Sequence, residues 1–169
     1  MRILGVDIGG TGIKAAVIET QTGKLISEHK RIPTPQPATP ENIAISLAQL
    51  VTELAWSGPI GCGFPATVHH GVAYSASNID PSWINTDAQT LFSHITGQPS
   101  FVVNDADAAG MAEMRFGAGQ NNRGVTILLT IGTGIGSAVF VNGQLHPNTE
   151  LGHVRFGDSI AERYCAESV

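Results

Sequence analysis

The sequence predicts a two-lobed α/β protein with duplicated strand-hairpin loops, and three observations carry that prediction. An apolar run from Arg2 to Val6 passes through Asp7-Ile8-Gly9-Gly10-Thr11-Gly12 into a second apolar run, Ile13 to Ile18, with no helix cap or helical period at the join. The layout returns from Val125 through Ile131-Gly132-Thr133-Gly134 to Ser137–Val141, and a shift of 123 positions lays Asp7–Gly12 over Thr130–Ile135 and Ala15 over Ala138. Two related halves can pinch one ligand between their loops. Strand-like and helix-like runs alternate elsewhere, giving a first lobe over 1–103 and a second over 104–169.

Each element follows from local signals. Thr22-Gly23 supplies a turn, and Leu25 to Ile32 is expected to return as one strand. Pro33 to Pro40 is a proline-rich extended connector. Thr39 caps a helix begun by Pro40, with Ile43, Leu47, Leu50, Val51 and Leu54 on one face and an end at Gly58-Pro59. Ile60 to Phe64 reads as a buried strand stopped by Pro65, and Val68 to Ser75 as a small hairpin around Gly71. Thr86-Asp87-Ala88-Gln89 matches a capping box with Thr86 as the cap, opening a helix through Leu91, Phe92 and Ile95 to Gly97. Phe101–Val103 is a strand, so Asn104-Asp105 falls at its C-terminal end, where open α/β sheets place ligand groups. A helix over Asp105–Phe116 stops at Gly117 and Gly119, and Asn142-Gly143 turns the last hairpin.

Composition narrows the function. A formal net charge of -5 with 9 scattered Lys and Arg argues against nucleic acid as a partner. No apolar stretch approaches the roughly 20 residues that span a bilayer, so no membrane role is expected. The chain opens directly into a strand pattern with no cleavable signal, which predicts a cytoplasmic location. Cys62 and Cys165 lack metal-ligand spacing and read as reduced thiols. His69-His70, adjacent on a strand, would point to opposite faces. Trp83 fits either a sugar-stacking surface or the core.

Gly10-Thr11-Gly12-Ile13-Lys14-Ala15 satisfies a loose dinucleotide fingerprint, but that motif opens a helix and here a strand follows. Lys14 also lacks the Walker A spacing. What remains is a hairpin turn whose glycines, Gly9, Gly10 and Gly12, let amide N–H groups approach a phosphate. Thr11 adds a hydroxyl, Lys14 a cation, and Asp7 a carboxylate placed to reach Mg2+, directly or through water. Gly132, Thr133 and Gly134 make the second such turn. Asn104 can donate and accept, and the Asp105 carboxylate can take a proton from a hydroxyl. In Glu150-Leu151-Gly152-His153 a glycine between polar side chains would let the loop approach a small polyhydroxylated ligand.

These segments, together with Gly63-Phe64-Pro65 and Leu129–Gly136, resemble the ROK-type sugar kinases in order and spacing over nearly the whole chain. Within that family, Pro147–His153 and Ser77–Trp83 most resemble the polyphosphate glucokinase subgroup. The resemblance implies a ribonuclease H-like fold of the actin and hexokinase type, and a likeness to homodimers. It also implies glucose as acceptor, polyphosphate and/or ATP as donor, and Mg2+ as cofactor. Carried over by residue, Asp105 becomes the base toward the glucose 6-hydroxyl, and Asn78, Asn104, Glu150 and His153 become sugar ligands. Family members run well beyond Val169, so the second lobe is expected to be incomplete. The competing readings are a non-catalytic fragment, a sugar-sensing regulator of the same family, and an actin- or chaperone-like ATPase module. The start at the first strand argues against the DNA-reading segment of a regulator, and Glu150–His153 argues against the ATPase module.

Overall fold

The computed structural model describes residues 1–77, 79–132 and 134–165. Asn78 and Thr133, both candidate ligand residues, lie outside the described residues. The chain divides into two compact units, Met1–Asp105 and Ala106–Val169.

In the first unit β1 (Arg2–Ile8) and β2 (Gly12–Glu19) pair antiparallel across the glycine turn, from Arg2 opposite Glu19 to Ile8 opposite Ile13. The strand expected over Leu25–Ile32 is instead two, β3 (Lys24–Leu25) and β4 (Lys30–Pro33), both antiparallel to β2. The break has a local cause. Ser27 Oγ accepts the Val17 N–H at 2.9 Å in place of a backbone carbonyl, interrupting the edge ladder.

Helix α1 (Pro40–Glu53) starts where its signals place it, with Thr39 Oγ1 accepting from the Asn42 N–H. It ends short of Gly58-Pro59 because Ala55 turns left-handed at φ 45° and the Trp56 N–H folds back onto the Val51 carbonyl. Its Ile43, Leu47, Leu50 and Val51 are buried in one cluster with Leu4, Val6, Ile8 and Ile13 of the sheet. Each such side chain gains about 1.5–3 kcal/mol on leaving water.

β5 (Ile60–Phe64) runs parallel to β1. A small sheet follows, of β6 (Val68–His69), β7 (Val72–Ala73) and an unanticipated β8 (Thr86–Asp87). Asp87, not Thr86, caps α2 (Ala88–Thr96): its carboxylate accepts from the Thr90 N–H at 2.9 Å, while Thr86 pairs with Ala73 in the sheet and donates its hydroxyl to the Ser82 carbonyl. Trp83 is core. It is fully buried, its Nε1 donates to the Ala38 carbonyl at 2.8 Å, and its ring lies 4.5 Å from that of Phe64. β9 (Ser100–Asn104) adds parallel to β5, completing the order β3-β2-β1-β5-β9 with β4 also on β2.

The second unit holds all but the first residue of α3 (Asp105–Phe116) and an antiparallel sheet of β10 (Val125–Ile131), β11 (Ile135–Val141) and β12 (Gln144–His146). Asn142 and Gly143, at φ 52° and 81°, make the tight turn that their sequence announces. Helix α3 rests on β11 through Gly110, where a Cβ would come within 2.6 Å of the Ala138 methyl. The pairing corrects the simple shift of 123. Ile8 faces Ile13 across residues 9–12, but Ile131 faces Ile135 across only 132–134, so the second turn is one residue shorter. Ser137, rather than Ala138, therefore corresponds to Ala15 in register, opposite Leu129 as Ala15 is opposite Val6. A hairpin of β13 (Arg155–Phe156) and β14 (Ser159–Ile160) leads to the short α4 (Glu162–Cys165).

Candidate functional site

The first unit builds its turn around backbone. The Gly9 N–H donates to the Gly12 carbonyl at 3.0 Å, leaving Gly10 and Thr11 exposed at the tip. Thr34, buried next to β4, anchors the turn twice: its hydroxyl donates to the Gly9 carbonyl at 2.5 Å and its N–H to the Thr11 carbonyl at 3.3 Å. The Arg31 guanidinium lies over Gly12, where a Cβ would come within 2.8 Å of it and make that side chain move aside. Thr34 and Arg31 carried no sequence signal, because the contact depends on β4 pairing beside the turn. Asp7 and Lys14, direct partners across the β1–β2 ladder, form an exposed ion pair at 3.1 Å. At that exposure the pair is worth about 0–1 kcal/mol, so a ligand can displace it cheaply.

Asp7 brings a carboxylate to the end of β1 beside the turn, and no group of three or more His, Cys, Asp or Glu among the described residues could hold a metal ion. That donor set fits Mg2+, which keeps several waters and takes phosphate oxygens beside one or two carboxylates. Asn104 is buried at the end of β9, and its Nδ2 donates to the Ala66 carbonyl at 3.0 Å, tying the strand end to the turn after β5. Asp105 follows directly as the first residue of α3.

In the second unit the Gly132 N–H donates to the Gly134 carbonyl at 3.0 Å, and Glu162 on α4 accepts from the Ile135 N–H at 2.8 Å. Glu150 and His153 bracket one turn of 3₁₀ helix, with His153 Nδ1 3.7 Å from Glu150 Oε2 and both side chains about one-third exposed, at 39% and 32%. The loop that carries them is pinned on three sides. Ser137 Oγ donates to the Thr149 carbonyl and accepts from the Leu151 N–H at 2.9 Å. Asp107 Oδ2 accepts from the Asn148 N–H at 2.8 Å. Gly152 lies against Ile135, whose carbonyl oxygen a Cβ would strike. The glycine is therefore required by packing on β11, a different reason from the ligand access expected of it. Burial raises the Asp107 carboxyl above its ordinary range, against the opposing effect of the Asn148 N–H. Asp107 and Ser137 were missed: neither belongs to a motif, and their role appears only once α3, β11 and the loop are assembled.

A family model described as the ROK family matches residues 3–168. A polyphosphate glucokinase of Mycobacterium tuberculosis strain H37Ra is 50% identical over 166 residues, which are 98% of this chain and 63% of that protein. The crystal structure of an inorganic polyphosphate/ATP-glucomannokinase from Arthrobacter sp. strain KM superposes with a TM-score of 0.94 at 46% identity, covering 98% of this chain and 68% of that one. A ROK family glucokinase from Streptomyces griseus, in complex with glucose and AMPPNP, superposes with a TM-score of 0.86 at 29% identity, over 98% of this chain and 57% of that one. The chain thus spans 63% of the length of its M. tuberculosis relative.

Proposed function

Since the chain belongs to the ROK family, with the match running over residues 3–168, and shares the fold of that family's sugar kinases, we propose that it carries the acceptor and donor elements of a glucokinase. The reaction moves a phosphoryl group from polyphosphate or ATP to the 6-hydroxyl of glucose. The observation that supports it most is the Glu150–His153 pair, a carboxylate and an imidazole 3.7 Å apart on a pinned, partly exposed loop. Such a pair offers acceptors and a donor matched to vicinal sugar hydroxyls. Asn104, anchored by Ala66, and Asn78 complete the sugar contacts in this reading.

Asp105 accepts the proton of the 6-hydroxyl as that oxygen bonds to the terminal phosphorus and the bond to the leaving phosphate oxygen breaks. Phosphoryl transfer of this kind needs positioning and charge neutralisation more than a strong base. Backbone N–H groups of Gly9, Gly10, Gly12, Gly132 and Gly134, with Thr11, Thr133 and Lys14, hold the donor phosphates. Mg2+, when bound at Asp7, supplies neutralisation of phosphate charge. The working form proposed is a cytoplasmic homodimer without nucleic-acid or membrane partners; no helix among the described residues is long and apolar enough to cross a membrane.

The test is a coupled glucose 6-phosphate assay on this chain and on one extended through its native reading frame, with polyphosphate and ATP supplied separately. Product in either form supports the reading, and its absence from both with both donors removes it. The span of 63% of a relative favours one second reading, in which these residues are the non-catalytic part of a longer kinase. Turnover confined to the extended chain selects it.

A further inference from the structure

Asp107 occupies a place that the reaction just proposed leaves unused. It is 2% exposed, stands two residues beyond Asp105 on α3, and accepts from the Asn148 N–H at 2.8 Å. Asn148 is left-handed, at φ 59°, and lies two residues before Glu150. Its N–H is thereby directed at the helix that also bears Asp105. On the other side of Glu150, Ser137 of β11 holds both neighbours at once, donating to Thr149 and accepting from Leu151. Glu150 thus lies between two anchored neighbours while its own side chain remains partly exposed.

We infer that Asp107, with Ser137, is a positioning residue that sets Glu150 and His153 for sugar hydroxyls by tying their loop to the helix of Asp105. The inference rests on the glucokinase reading for the identity of the sugar. Its physical basis does not. A carboxylate hydrogen bond to a backbone N–H is among the stronger kinds, and removing the acceptor takes this 2.8 Å bond from the loop. A side chain displaced by about 1 Å can cost on the order of 100-fold in a positioned reaction.

The test compares wild type with Asp107→Asn, which keeps shape and one acceptor oxygen, Asp107→Ala, and Ser137→Ala, all in the extended chain. Hydrogen exchange over residues 147–153 is read without sugar, glucose affinity by calorimetry, and KM separately for glucose and donor. The expected result is faster exchange in 147–153 and unchanged exchange over 9–12. Glucose affinity and KM for glucose weaken by about tenfold in Asp107→Ala and less in Asp107→Asn, while KM for the donor stays native. A lowered melting temperature with native glucose affinity would make Asp107 merely structural and overturn the inference, as would unchanged exchange in 147–153. If wild type binds no glucose, the glucokinase reading falls instead, and the exchange data still decide whether Asp107 holds the loop.

Discussion

Asp105 and Asp107 share one helix and one residue type, yet a step of two residues turns about 200° around the axis, and their surroundings diverge accordingly. Asp105 was legible because a short strand ends just before it, at the edge where open sheets gather ligands. Asp107 was not, since α3 is built largely of small residues and no apolar stripe marks its buried side. For Asp105→Ala in the extended chain, glucose binding should stay measurable by calorimetry while turnover falls by about 10²–10⁴-fold, the usual worth of a general base; near-native turnover would sink the assignment. Cys62 gives a prediction independent of function. It is buried in β5, and burial pushes its thiol up to about 12, whereas Cys165 is exposed. Iodoacetamide at pH 8 should label Cys165 alone in the folded chain, as read by mass spectrometry. Because the folded thiol pKa lies above the ordinary 9.0, its contribution to stability is complete below about pH 9 and is lost as pH rises toward 12. The urea midpoint should therefore fall more steeply above pH 9 in wild type than in Cys62→Ala.

At the scale of elements, long periodic runs were readable and short ones were not. The face of α1 and the glycine-turn hairpins follow from spacing alone. β8 is only two residues long and has no period to detect, and the cap of α2 falls to its second residue, because the Asp87 carboxylate accepts from the Thr90 N–H while the Thr86 hydroxyl is turned to the Ser82 carbonyl. The break between β3 and β4 arises from one serine hydroxyl replacing a carbonyl, a competition that apolar patterning cannot register. The cap makes a direct comparison possible. Asp87→Ala removes acceptors from both the Thr90 N–H and the Thr90 hydroxyl, at 2.9 and 2.7 Å. It should cost about 1 kcal/mol, whereas Thr86→Ala loses a single exposed bond to Ser82 and should cost less. Urea unfolding of the two variants decides it, and a larger loss in Thr86→Ala would return the cap to Thr86.

For the whole molecule, the decisive contrast is between the two sheets. The first sheet buries Leu4, Val6, Ile8, Ile60 and Phe64 with α1 and α2, so Leu47→Ala should cost about 2–5 kcal/mol through lost burial and the cavity left behind. β10 inverts the usual arrangement. Val125, Ile127, Leu129 and Ile131 are 66%, 55%, 53% and 68% exposed, while Thr126 and Thr130 lie on the better-covered face. Alternation puts Val125, Ile127, Leu129 and Ile131 on one face, but it cannot tell whether that face is covered. A contiguous apolar row on a strand is a binding and aggregation liability. Replacing Ile127 and Leu129 together by Thr puts a β-branched strand former at both positions while removing much of the row's apolar area. This variant should show lower 8-anilinonaphthalene-1-sulfonate fluorescence and less light scattering than the parent, with a melting temperature within a few degrees, because neither side chain contributes to the buried core. The chain extended through its native reading frame should lower dye binding without any substitution if the added residues pack on β10. Dye binding that is unchanged in the Thr variant would show that the accessible apolar surface lies elsewhere.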